Sequence, residues 1–105
     1  FLAHKDKPTA AVCFNDLVAA GALLTLRDRG IAVPERVSVV GYDDIDFARM
    51  FSPPLTTMHA ATYDLGRHAM TMLLERMEGR GHGVDIVLQP ELVVRSSTRA
   101  LGTRP

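Results

Sequence analysis

Two polar residues directly follow apolar runs that have the composition of β-strands. Asn15 comes after TAAVCF, residues 9 to 14, and Asp43 comes after VSVVGY, residues 37 to 42. An amide supplies hydrogen-bond donors and an acceptor, and a carboxylate supplies two acceptor oxygens. Together they suit a small molecule with hydroxyl or amino groups, such as a sugar or a nucleoside base. The alternative is that both residues merely cap and terminate their strands.

The chain around these residues predicts a strand–helix–strand unit. Both apolar runs lack the alternation of a half-exposed strand, which is typical of strands covered on both faces in a parallel sheet. Between them, LVAAGALLTLRDRG predicts a helix with Asp16 as its N-cap and Gly30 as a left-handed C-cap. The expected apolar face of this helix consists of Leu17, Ala20, Leu23, Leu24 and Leu26.

Pairing of the two strands would bring Asn15 and Asp43 to one ligand. Ligands of open parallel sheets bind beyond the carboxyl ends of the strands. Neighbouring strands lie about 4.8 Å apart, so both side chains would reach the same small molecule. Asp44 has a different predicted role. It begins the segment DIDFARM, where a carboxylate would stabilise the first turn of a short helix.

The remainder of the chain predicts further elements of an α/β fold. Pro53 and Pro54 end the short helical turn, because proline lacks a backbone donor and restricts the residue before it. After that turn we predict a third strand, a second helix and two brief strands, over residues 55–60, 63–78, 84–88 and 91–96. The predicted fold class is therefore α/β, with a parallel sheet and helices on both faces.

Composition argues against several classes of function. The 105 residues carry a formal net charge of zero. Phosphate binding needs a concentrated basic face, so this stretch is not expected to bind DNA or RNA by itself. The longest apolar stretch, residues 18 to 24, is far too short to span a membrane. We therefore expect no membrane partner. The single cysteine, Cys13, lies inside a predicted strand, which is typical of a small core residue in a reducing compartment, so we expect a cytoplasmic protein.

Five segments in a fixed order resemble the LacI/GalR (lac-repressor) family of bacterial transcription regulators. They lie between Pro8 and Thr98 and read PTAAVCFND, VPERVSVVGYDD, PPLTT, LGRHAM and PELVVRSST. The resemblance implies the C-terminal part of an effector-binding domain similar to periplasmic binding proteins, which controls a DNA-binding head absent from this chain. It divides the chain into a second-lobe βαβ unit, a crossing to the first lobe, a returning strand and a tail, over residues 8–59, 60–89, 90–99 and 100–105.

The resemblance also implies the partners. A small-molecule effector, which is a sugar, a sugar derivative or a purine, would contact Asn15 and Asp43. Operator DNA would be bound through the head alone, and the protein would be a homodimer or a higher oligomer. A short turn cannot bury several large apolar side chains in its own core, which also favours an interface near residues 44 to 53. The expected interface residues are Ala20, Leu24, Phe47, Met50 and Phe51.

Two other functions share parts of this pattern. Receiver- and phosphatase-type enzymes hold Mg²⁺ and a phosphoryl group with acidic residues after a parallel strand, as Asp43 and Asp44 would. A periplasmic sugar-binding protein of a transporter has the same two-lobed architecture. The PPLTT and PELVVRSST segments favour the regulator. The four histidines lack metal-ligand spacing and the sequence has no nucleophile elbow, so we expect no enzyme activity, no metal and no cofactor.

Overall fold

A computed structural model describes residues 7–81 and 83–102 as an α/β structure. Its elements are β1 (Ala10–Val12), α1 (Asp16–Asp28), β2 (Ser38–Val40), a 3₁₀ helix (Asp46–Met50), β3 (Thr57–His59), α2 (Thr62–Met77) and β4 (Glu91–Val93). The predicted order of elements is confirmed, apart from the strand expected over residues 84–88. That segment is irregular and largely exposed, because no strand among the described residues pairs with it.

β1 and β2 form the parallel pair that the sequence predicts. Their register sets Ala10 opposite Ser38. Since α1 connects them, the three elements form a βαβ unit. A parallel pair has the carboxyl ends of both strands at the same edge. Asn15 and Asp43 follow the two strands at that edge.

β3 extends the sheet on the other side of β2. Isolated parallel bridges join Val40 to Thr56 and Asp43 to His59. β4 then pairs with β3 in the antiparallel direction. Through these contacts the described strands lie in the order β1, β2, β3, β4, so that β2 is flanked on both sides by strands parallel to it.

Local signals fix both ends of α1, and one of them differs from the prediction. The N-cap is Asn15 and not Asp16, because Asn15 Oδ1 accepts a hydrogen bond from the Val18 amide at 2.8 Å. Asp16 is instead the first residue of the helix. At the other end Gly30 has a φ of +66°, and its amide donates to Arg27 O at 2.9 Å. The predicted left-handed cap is therefore confirmed.

The face of α1 that packs on the sheet also differs from the prediction. The buried positions are Asp16, Ala19, Leu23 and Leu26. Leu24, expected on that face, is 51% exposed. Burial of the first helical side chain sets the rotation of α1, because positions three and four residues apart share a face. The buried face therefore begins one residue earlier than predicted, with Asp16 and Ala19 buried in place of Leu17 and Ala20.

A small apolar core lies between α1 and the sheet. Its buried members are Ala19, Leu23, Leu26, Val37, Val39, Ala48 and Leu55. The prediction that β1 is covered on both faces is not met by the described residues, since Val12 and Phe14 are 83% and 87% exposed. α1 covers one face of the sheet, and these two side chains lie away from it. None of the residues of α2 is buried.

Candidate functional site

Asn15 and Asp43 follow β1 and β2 at the edge of the sheet where both strands have their carboxyl ends. The regular register covers Ala10–Val12 and Ser38–Val40. Beyond it the amide of Asp16, and not that of Asn15, donates to Tyr42 O at 2.9 Å, so the pairing shifts by one residue next to the two side chains. The parallel bridge from Asp43 adds His59 to the same edge. The structure thus places the two residues that the sequence predicts as ligand contacts at the same edge of the sheet, after neighbouring strands.

The side chain of Asn15 is partly committed to the helix. Its Oδ1 accepts the Val18 amide hydrogen bond, which fixes the orientation of the amide group. Nδ2 therefore points away from the helix end, and no hydrogen bond from it to a described residue is present. The half-buried Asn15 can offer a ligand a donor while it caps α1. The capping alternative considered for this residue holds, and it leaves the amide NH₂ group available.

Asp43 stands on an uncommon backbone. Its φ is +104° and that of Asp44 is +57°, so two successive L-residues occupy the left-handed half of conformational space. The Asp43 amide donates to Met58 O at 2.9 Å. Within the described residues its carboxylate takes part in no hydrogen bond or ion pair, unlike the carboxylates of Asp16 and Asp44. A strained turn of this kind persists only where its surroundings hold it.

The carboxylate of Asp16 stabilises the Asp43–Asp44 turn by binding the residue that follows it. This side chain is fully buried. Its Oδ2 accepts from the Ile45 amide at 2.9 Å, and its Oδ1 accepts from Thr57 Oγ1 at 2.5 Å. An ionised carboxylate without such partners would be costly to bury. Asp16 thereby joins the start of α1, the residue after the turn and β3.

Gly41 provides the space that this carboxylate occupies. A Cβ built on Gly41 would overlap Asp16 Oδ1 and would lie 2.8 Å from Leu55 Cδ2. The glycine is needed here for close approach and not for a left-handed backbone, since it is absent from the residues with positive φ. The spacing of Gly41 and Asp43 in the sequence follows from this arrangement: one residue accommodates the buried acid and the other begins the strained turn.

Asp44 forms an ion pair in place of the predicted helix cap. Ile45 is the N-cap position of the 3₁₀ helix and makes no side-chain capping bond. Asp44 Oδ1 instead accepts from Arg95 Nη2 at 2.6 Å, and Oδ2 lies 3.2 Å from His59 Nδ1. Burial raises the pKa of the Asp44 carboxyl, but the hydrogen bonds and charges of Arg95 and His59 outweigh burial and lower it.

A second buried polar contact joins β2, β3 and the segment after β4. Ser97 Oγ donates to Val39 O at 2.6 Å and accepts from the Thr56 amide at 2.7 Å. The Val39 amide donates to Ser97 O at 2.8 Å. Ser97 is fully buried, and it fastens the last segment of the chain to β2. A buried serine hydroxyl needs hydrogen-bond partners, and no sequence motif marks Ser97 as the residue that finds them here.

The residues expected at a subunit interface differ in their exposure. Phe47 and Met50 are 64% and 73% exposed, and Leu24 is about half exposed. Ala20 is half-buried, and Phe51 packs partly against the core. Ala48, between these side chains, is fully buried and anchors the 3₁₀ helix to the lobe.

Sequence comparison identifies the family. Residues 1–98 match the family described as a periplasmic binding protein-like domain. The HTH-type transcriptional repressor PurR of Photobacterium profundum is 44% identical over 102 residues. The aligned region is 96% of this chain and 30% of that repressor, so the chain spans under a third of the relative's length. The chain belongs to the LacI/GalR family. The predicted resemblance is confirmed.

Solved structures of transcription regulators share this fold. The transcriptional regulator CelR in complex with cellobiose is 38% identical with a TM-score of 0.82, covering 87% of this chain and 28% of that one. A dimeric Lac repressor with a C-terminal deletion is 35% identical with a TM-score of 0.81, covering 87% and 34%. These relatives are named as transcription regulators and not as enzymes.

The described residues contain neither a candidate metal site nor a membrane-spanning helix. They hold no group of three or more His, Cys, Asp or Glu side chains that could bind a metal ion. None of their helices is long and apolar enough to cross a membrane. His4 and His82 lie outside the described residues.

Gly41→Ala should lower the free energy of unfolding by about 1–3 kcal/mol, because the new methyl group displaces a buried carboxylate that two other elements hold in place. Gly21→Ala is the matched control, since open space surrounds Gly21 in α1. It should stabilise the protein by about 0.5–1 kcal/mol through helix propensity. Urea unfolding of both variants measures the difference. Equal stability of Gly41→Ala and the parent would contradict the packing described.

Asp44→Asn should destabilise the protein at pH 7 by about 1–3 kcal/mol, because the charged partner of Arg95 is lost. A carboxyl whose pKa is lowered by folding stabilises above its ordinary value of about 3.9, and this contribution is lost as pH falls through the lowered value. The gap between variant and parent should therefore close between neutral and strongly acidic pH. Asp28→Asn is the control, because the Arg27–Asp28 pair is about two-thirds exposed. A gap independent of pH would count against the ion pair.

Proposed function

We propose that this chain is the effector-binding and dimerisation part of a LacI-type transcription regulator. In this proposal a small molecule bound at Asn15 and Asp43 controls DNA binding by a head elsewhere in the full-length protein. One observation carries it. The Asp43 carboxylate is held on a strained turn, at the same sheet edge as Asn15, and has no partner among the described residues. A turn braced on several sides, with one acid left unpaired, is typical of a binding site.

The chemistry of the two side chains restricts the ligand. Asp43 supplies acceptors, and Asn15 supplies a donor because its oxygen caps α1. A suitable ligand therefore presents a hydroxyl or N–H donor to Asp43 and an acceptor to Asn15. Sugars, sugar derivatives and purines all meet this requirement. The cellobiose bound by CelR supports the sugar class for this chain.

The control of DNA binding would depend on a change in the angle between two lobes. In the proposed arrangement residues 60–89 cross to the first lobe, and residues 90–99 return from it. A ligand held by both lobes shifts the equilibrium between their arrangements only by its difference in affinity for them. β3 contacts the Asp43–Asp44 turn through Met58 O, and the segment after β4 contacts it through Arg95. Ligand contact and lobe angle would therefore be linked through these strands.

The regulator is favoured over a periplasmic sugar-binding protein by the names of the relatives. The PurR relative is an HTH-type transcriptional repressor. We accordingly propose a cytoplasmic protein whose operator contacts lie outside these 105 residues. The neutral charge of the chain supports this division of labour, because operator binding requires a basic surface.

We also propose that Ala20, Leu24, Phe47, Met50 and Phe51 belong to a dimer interface. The exposed apolar side chains of the 3₁₀ helix support this, since contiguous exposed apolar groups usually mark an interface. The dimeric Lac repressor among the structural neighbours supports it as well. Phe51 packs partly on the core, so a change there would mix folding with association. Met50 is the better residue to test.

Asp43→Ala in the full-length protein should weaken effector binding by about 2 kcal/mol or more, because a desolvated polar contact loses its acceptor. A thermal-shift panel of sugars including cellobiose, sugar acids and purines finds the compound, and calorimetry gives its affinity. Asp46→Ala is the control, since the Asp46 side chain is 98% exposed and lies three residues away. DNA binding without effector should survive both changes. Unchanged affinity in Asp43→Ala would mean that this acid only ends a strand.

Met50→Asp should convert the full-length dimer to monomers at micromolar concentration. In a two-fold interface the substitution occurs twice, so two unpaired charges are buried. Operator affinity should fall, while each subunit keeps its ligand affinity. The control Leu101→Asp adds the same charge at a side chain that is 78% exposed and outside the proposed surface. Sedimentation measures the oligomer, and a Met50→Asp variant that remains dimeric would place the interface elsewhere.

A further inference from the structure

We infer that Arg95 is a positioning residue for Asp43, acting through Asp44. The inference rests on the proposed function, in which Asp43 contacts the effector. Arg95 follows β4 and lies 51 residues from Asp44 in the chain. Its guanidinium donates to Asp44 Oδ1 at 2.6 Å through Nη2 and to Leu55 O at 2.8 Å through Nη1. It thereby connects the strained turn to the start of β3.

The location of Arg95 makes this connection firm. Its side chain and that of Asp44 are only 18% and 17% exposed, so water screens the pair weakly. The Arg95 amide also donates to Thr56 Oγ1 at 2.9 Å, which fixes the backbone that carries the guanidinium. A planar guanidinium can serve two acceptors in different directions, whereas an ammonium group acts as a point charge. The site therefore needs arginine and not just a positive charge.

Loss of Arg95 would act on Asp43 through the backbone. Asp44 would keep His59 as a partner, and an under-compensated, largely buried carboxylate tends to turn toward water. Rotation of Asp44 would release its left-handed conformation, which is costly for an L-residue. Asp43 precedes it in the same strained pair, so the ligand-facing carboxylate would move as well. Asp16 still holds Ile45, on the other side of the turn. The loss would therefore be local.

Arg95 would therefore affect effector affinity without contacting the effector. The segment that carries Arg95 is the one that follows β4, which we propose returns from the first lobe. The geometry of the ligand-facing turn would then depend on how that segment docks on β3. Effector affinity and the docking of the returning segment would be coupled through one guanidinium.

The test compares Arg95→Gln with Arg99→Gln in the full-length protein. Arg99 lies in the same segment, and its guanidinium also donates to backbone carbonyls, those of Pro34 and Glu35, away from the turn. Amide hydrogen exchange without ligand is the first readout, because the Asp43 and Ile45 amides donate within the braced turn. We expect the Asp43 amide to exchange at least about tenfold faster in Arg95→Gln than in Arg99→Gln, and the Ile45 amide, which Asp16 still holds, to exchange alike in both.

Two further measurements separate positioning from a general loss of structure. The amides of Leu23 and Leu26 in α1 should exchange at the parent rate in Arg95→Gln. Arg95→Lys should fall between the parent and Arg95→Gln, since it keeps the charge and loses the fork. With cellobiose and guanine as probes, any probe that binds the parent should bind Arg95→Gln about tenfold more weakly and Arg99→Gln equally well.

Each outcome decides a separate question. An Asp43 amide that exchanges alike in Arg95→Gln and Arg99→Gln overturns the inference, as does faster exchange throughout α1. If Arg95→Gln releases the turn but Asp43→Ala leaves probe affinity unchanged, the positioning stands and the proposed effector site is wrong. If neither probe binds, hydrogen exchange alone supports or overturns the role of Arg95.

Discussion

The buried carboxylate of Asp16 is the contact on which the rest of the lobe depends. Its partners belong to two other parts of the chain, the amide of Ile45 and the hydroxyl of Thr57. A buried carboxyl group is tolerated only while its polar partners stay in place, so Asp16 fixes elements that are distant in sequence. It sets the rotation of α1, demands glycine at position 41, and holds one side of the strained turn. The apolar core is small, and this polar contact gives it a unique arrangement.

Four of the five segments that carry the family resemblance are joined by hydrogen bonds between them. Thr56 of PPLTT meets Ser97 of PELVVRSST, and Asp44 of VVGYDD meets Arg95 of the same last segment. Polar residues of these motifs therefore bind one another, and the Asp43 carboxylate is left without a partner among the described residues. This division explains why the motifs identify the family well and the ligand poorly. Most of their residues build the site, and few of them line it.

The sequence was sufficient for the features that depend on local chemistry. The order of most elements, the left-handed Gly30 and the placement of Asn15 and Asp43 at one edge of the sheet follow from composition and strand pairing. Asn and Asp both cap helices well, so the choice between Asn15 and Asp16 was decided by a threonine 41 residues away. The predicted strand over residues 84–88 was wrong because a strand requires a partner as well as a composition. The Arg95 pairing was missed for the same non-local reason.

The contacts of Ser97 with β2 have a consequence for synthesis on the ribosome. Both backbone groups of Val39 are bonded to a residue 58 positions later in the chain. At a translation rate of roughly 5–20 residues per second, β2 emerges about 3–12 s before its partner does. Until then those groups stay hydrated, because burying them unpaired would be unfavourable. A stop codon ahead of Ser97 would therefore remove more than a tail, since it would leave a central strand of the nascent lobe permanently incomplete.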